Sequence, residues 1–151
     1  MGATHFSGPV VAGDLGYGEV NGPNQGNVVL TQSVTLAQNS TNAVSATMYI
    51  PAGAQISNFH VDVLTAFNSG SSATLSAGIT AGGTEYVSGV NVKAATGRIA
   101  ITFTAAQLAA MYGVSVLGVA APTTAPVVVT ITPSGATSAG FVVVTMTYIQ
   151  K

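Results

Sequence analysis

The sequence predicts an all-β protein: a jelly-roll-like β-sandwich or barrel of about eight or nine short antiparallel strands, with one short helix and an extended N-terminal arm. Three observations lead there. Short segments of alternating apolar and polar residues recur about every ten residues from Asn27 onward. The stretches between them are rich in Gly, Ser, Asn and Pro, the residues that form turns. Many apolar positions are β-branched, and Val, Ile and Thr fit a pleated surface better than a helix. Within the all-β class a jelly roll accommodates this many short strands in one double-sheet unit.

The first 26 residues, "MGATHFSGPVVAGDLGYGEVNGPNQG", contain seven glycines and two prolines and keep no period of 2 or 3.6. They read as an extended arm, residues 1–26, ahead of a single β-domain, residues 27–151. Two readings of the arm remain. It is a frayed terminus, or its His5, Phe6, Val10, Val11, Leu15 and Tyr17 order it by packing on a neighbouring subunit or partner.

In "NVVLTQSVTL", Val28, Leu30, Val34 and Leu36 share one strand face, and Val29, Thr31, Ser33 and Thr35 share the other. "QNSTN" at Gln38–Asn42, with "NST" at Asn39, reads as a polar hairpin turn, followed by "AVSATMYI". Pro51 then fixes φ and Gly53 supplies a positive one, a tight turn into the strand "QISNFHVDVL". Phe59, Val61 and Val63 point inward there, while Asn58, His60 and Asp62 point outward. The segments "SATLSAGIT", "TEYVSGVNV", "GRIAITFT", "VSVLGVA", "PVVVTIT" and "GFVVVTMTYI" complete the set of strands. "TAAQLAAMYG", Thr104 to Gly113, differs. Thr104 and Gln107 have the capping-box spacing, the alanines favour helix, and Gly113 suits a helix stop, which predicts a helix near 104–112.

Composition narrows the function. The chain has 151 residues, and only Asp14, Glu19, Asp62, Glu85, Lys93, Arg98 and Lys151 are charged, 5% against a usual share of roughly 25%. Three scattered basic residues cannot displace the counterions of a nucleic acid, so none is expected as partner. No apolar run approaches the roughly 20 residues of a spanning helix, so no membrane is expected. The beginning has no basic stretch followed by an apolar one, so no secretory signal is expected either. With no cysteine, thiol catalysis, cysteine-based zinc sites and Fe–S clusters are excluded. A surface this poor in charge is weakly protected against association, which favours a permanent assembly.

Chemistry is sparse. His60 and Asp62, two apart on a strand, share a face, and three readings apply. They are a dyad or half a metal site, a hydrogen-bonded polar pair near a subunit contact, or a pH-sensitive assembly element. The expectation is the polar pair, with no catalytic residue, no metal site and no cofactor. "GYGEVNG" lacks the strand, helix and Lys of a phosphate loop. The five tyrosines are dispersed, and each is expected in the core or at its rim.

"IPAGAQISNFHVDVLTAFNSGSSATLSAGIT", followed by "GTEYVSGVNVKAATGR", has an order of short motifs: an apolar-Pro-Ala-Gly-Ala turn, an alternating strand, an aromatic-Asn, a Ser/Thr/Gly hairpin and a Gly-Arg segment. With "ATHFSGPVV" at the start, it resembles small virion structural proteins of tailed bacteriophages. The likeness covers Ala3–Val11 and Ile50–Ile101. It implies a non-enzymatic capsid decoration (cement) protein on the outer surface of the phage head. It also implies the major capsid protein as partner and a homo-oligomer, a trimer favoured. The interface residues expected are His5, Phe6, Val10, Val11, Leu15 and Tyr17 of the arm, with Asn58, His60 and Asp62. The alternative is a tail or head-fibre component, either a glycan-recognition module or a ring-forming tail or connector subunit.

Overall fold

The computed structural model describes residues 28–116 and 124–150, with side chains of 113–116 excepted. Eight strands and one helix follow in order: β1 (Val28–Ala37), β2 (Val44–Ile50), β3 (Ala54–Thr65), β4 (Ser72–Gly78), β5 (Val87–Asn91), β6 (Gly97–Ile99), α1 (Ala105–Val116), β7 (Ala125–Ser134) and β8 (Phe141–Gln150). They form two four-stranded sheets, β1-β8-β3-β6 and β2-β7-β4-β5.

The pairing has a simple rule. First strand pairs with last, second with seventh, third with sixth and fourth with fifth, all antiparallel. That is one long hairpin, rolled until β3 meets β8 and β4 meets β7. The result is a jelly-roll sandwich.

Alternation along each strand fills the space between the sheets. Ile50, Ile56, Val61, Leu75, Ile131 and Met146 are all but inaccessible to solvent. Each buried aliphatic side chain of this size stabilises the fold by roughly 1.5–3 kcal/mol. Phe59 stacks on Tyr86, ring centroids 6.3 Å apart. Burial, with the nearby Glu85 carboxylate adding to it, raises the Tyr86 phenol above the ordinary tyrosine range.

The turn into β3 is as the sequence requires. The Ala54 amide donates to the Pro51 carbonyl at 3.1 Å, and Gly53 has φ of 75°. Phe59, Val61 and Val63 are buried, and Asn58, His60 and Asp62 are half-exposed on the outer face. Ser57 and Leu64 sit at register shifts, and Leu64, on the outer face by alternation, is 57% exposed.

Four expectations need correction. The "QNSTN" turn does not close a hairpin, because it carries the chain from one sheet to the other. Gln38 drives that crossing: its buried amide nitrogen donates to the carbonyls of Ser40 (2.9 Å) and Asn42, curling the segment back on itself. "GRIAITFT" is strand only over Gly97–Ile99, where β3 offers a partner. Helix α1 starts with the expected capping box but runs to Val116, so Gly113 lies inside it. "VSVLGVA" is therefore helical at Val114–Val116, and its remaining residues lie outside the described ones. The face of β1 is as expected, but its burial fades: Leu36 is 2% exposed, Leu30 40% and Val28 57%.

Register also fixes the two ends of the roll. The β1–β2, β3–β4, β5–β6 and β7–β8 connections gather at one, the loop end. At the other, Val28 and Ala54 both lie opposite Gln150, and Ile50 lies opposite Ala125. This terminal end holds the start of β1, the finish of β8, the β2–β3 and β4–β5 turns and the return from α1 into β7.

Candidate functional site

The outer face of the first sheet carries the sequence-predicted trio. Across β1, β8 and β3 the rows read Thr31–Thr147–Asn58, Ser33–Thr145–His60 and Thr35–Val143–Asp62. Apart from the Asp62–Arg98 ion pair, His60 and Val143, these rows are made of short hydroxyl and amide side chains. The Ser33 and Thr145 hydroxyls are 2.8 Å apart and share a hydrogen bond across the ladder.

Asn58 is turned toward its own backbone. Its Oδ1 accepts from the Phe59 amide at 2.8 Å, next to the register shift, so the side chain supports the distorted ladder. Asp62 is taken by Arg98, directly opposite on β6. The guanidinium Nε and Nη2 donate to Oδ1 and Oδ2 at 2.8 and 2.9 Å. This fork corrects the expectation that Asp62 bonds His60. Sharing a face is weaker than facing a cation in register. The Arg98 hydrogen bond holds the Asp62 carboxyl below its usual value, with the Arg98 and His60 charges acting the same way and desolvation opposing them. The trio is thus brought onto one face, with His60 alone free of the two structural tasks. The arm residues His5, Phe6, Val10, Val11, Leu15 and Tyr17 lie outside the described residues.

A second feature is a cleft of about 420 Å³ between α1 and the β4–β5 turn, lined by Thr84, Glu85, Ser88, Thr104, Ala106, Gln107 and Ala110. Thr104 and Gln107 bond reciprocally at 2.9 and 3.2 Å, and the Gln107 amide reaches the Thr84 carbonyl at 3.4 Å. The Glu85 carboxylate accepts from the Ile79 amide at 3.3 Å. Glu85 has no second acid or base beside it in this lining, so the cleft lacks the paired groups of general acid–base work. Among the described residues no three His, Cys, Asp or Glu side chains gather as metal ligands, and no helix is long and apolar enough to cross a membrane.

The loop end is polar and cross-braced. The Asn68 Oδ1 accepts from the amides of Ser138 and Ala139 at 2.9 and 3.0 Å, and the Lys93 ammonium donates to the Gly70 carbonyl at 3.0 Å. The Ser71 and Ser134 hydroxyls meet at 2.8 Å. The terminal end is different. Beside its turns, Gln32 of β1 clasps the edge of β2, its Oε1 accepting from the Tyr49 amide at 3.1 Å and its Nε2 donating to the Tyr49 carbonyl. Sequence reasoning missed Arg98, Gln32 and the contrast between the ends. Only Arg98 had a visible signal, as one of three cations facing four acids.

No protein-family model matches the chain, and no curated protein matches it. Among solved structures it is similar to a chain of the cyanophage Pam1 capsid asymmetric unit. The TM-score is 0.57 at 18% identity, over 88% of this chain and 92% of that one. The two chains are therefore of nearly equal length, and at this identity the likeness is one of fold.

Proposed function

We propose that this chain is a non-enzymatic component of a tailed-phage head, a decoration (cement) protein that binds the outer surface of the assembled capsid and stabilises it. The observation that carries this reading is the fold shared, over nearly the whole of both chains, with a component of a phage capsid asymmetric unit. The motif order across Ile50–Ile101 supports it independently. A ligand that binds the assembled shell and not its parts stabilises the shell by mass action. A homotrimer would add to this through effective concentration. The major capsid protein is the proposed partner, and the arm, residues 1–26, which lies outside the described residues, is the segment assigned to contact it.

The test is co-sedimentation of the purified chain with mature capsids that lack it, together with its mass in solution. Saturable binding at a fixed ratio to the major capsid protein is expected. A folded chain that does not bind moves the assignment to a tail or host-recognition component. Deleting residues 2–26 should weaken attachment while leaving the melting temperature of the β-domain in place; undiminished attachment removes the arm from this role.

A further inference from the structure

Among the described residues four strands are outermost in their sheets, β1 and β6 in one and β2 and β5 in the other. Such strands present unpaired N–H and C=O groups, and proteins blunt them with short length, bulges, proline or charge. Two of the four are blunted in these ways. β6 has three residues, and β5 has five, with a register shift in its pairing and Gly89 at φ of 66°. β1 and β2 have none of these devices. They are ten and seven residues long, hold no proline and pair without a register shift. Both lie between Glu19 and Asp62, where the sequence holds no Asp, Glu, Lys or Arg.

A side chain does this work instead. β1 and β2 belong to opposite sheets but approach each other along one corner of the roll. Gln32 reaches across that corner from β1. Its Oε1 accepts from the Tyr49 amide at 3.1 Å, and its Nε2 donates to the Tyr49 carbonyl. A residue of a neighbouring strand would make this same pair of bonds. The direction is set by β7: Tyr49 lies opposite Pro126, which has no N–H to give, and its own backbone groups turn away from that strand. By alternation the backbone groups of Ser45 and Thr47 turn the same way. The Gln32 Nε2 also meets the Tyr148 hydroxyl of β8 at 3.5 Å, a long third contact from the sheet behind it.

We propose that Gln32 is an edge guard: its amide stands in for a strand at this corner and closes β1 and β2 to strand addition by a second copy of the chain. Without it the Tyr49 N–H and C=O lose these partners and line up with the outward groups of Ser45 and Thr47. "VSATMYI" then offers a flat, uncharged edge rich in Val, Thr, Tyr and Ile, and the same segment of another copy matches it. This holds whether or not the chain attaches to a capsid.

Solution mass against concentration, together with amide hydrogen exchange at Tyr49, tests the guard in the full-length chain. Gln32→Ala should exchange the Tyr49 amide about tenfold faster in dilute solution. As concentration rises, its mass should climb above that of the wild type. Adding Thr47→Lys, which places a charge on the exposed β2 edge, should return the mass to the wild-type value while exchange stays fast. Gln32→Met keeps the side-chain length without the two bonds, and replaces the alanine variant if melting shows that one to be misfolded. Wild-type exchange in the variant overturns the proposal. Faster exchange at an unchanged mass also overturns it, because the bonds then shield one amide without guarding an edge. Added mass that Thr47→Lys leaves in place overturns it as well, because association then uses another surface.

Discussion

Single residues do two kinds of work here, and charge is the rarer. The Asp62–Arg98 fork joins β3 to the three-residue β6, and Arg98 lowers the Asp62 pKa in the folded state. A carboxylate depressed on folding contributes stability that is present above its unfolded value, about 3.9, and is lost as pH falls through the folded value. The melting temperature of the wild type should therefore drop between about pH 5 and about pH 2 by more than that of Asp62→Asn. Equal acid sensitivity of the two would show that the fork does not contribute. Steric fit is the commoner kind of work. A Cβ on Gly140 would collide with the ring of Phe67, which is 2% exposed and has nowhere to move. Gly140→Ala should destabilise by about 1–3 kcal/mol, read by chemical denaturation.

At the level of elements, the sequence was readable wherever the information is local. The alternation of β3 and the capping box of α1 depend on residues within four of each other, and both appear where the pattern puts them. Thr104→Ala leaves the Gln107 amide without its side-chain acceptor and should cost about 0.5–2 kcal/mol in denaturant melts. The end of α1 was not readable. Glycine inside a helix costs about 1 kcal/mol, which predicts a stop at Gly113, yet the helix continues for three more residues. Tertiary context regularly outweighs so small a preference. The Asp62–Arg98 pairing was equally hidden, since it depends on the register of two strands whose paired residues are 36 apart in sequence. The β1 start shows a third limit: alternation gives the face of Val28 and Leu30, but not whether the opposite sheet reaches far enough to cover them.

At the level of the whole molecule, near-neutrality is the governing property. Three basic and four acidic residues leave little for salt to screen. Under the proposed function, capsid attachment should therefore change little between about 0.05 and about 0.5 M salt. Detachment on a modest rise in salt would point instead to ion pairs. The double-sheet class was legible from strand spacing, whereas the strand order was not, because period says nothing about partners. That order has a consequence for how the chain is made. β8 lies between β1 and β3, and Val28 pairs with Gln150. The first strand of the roll waits on the ribosome for the eighth, and until β8 emerges nothing joins β1 to the β3–β6 pair. Partial chains present uncovered β-strands, so folding is slow and late, and the interval before closure is when misassembly threatens.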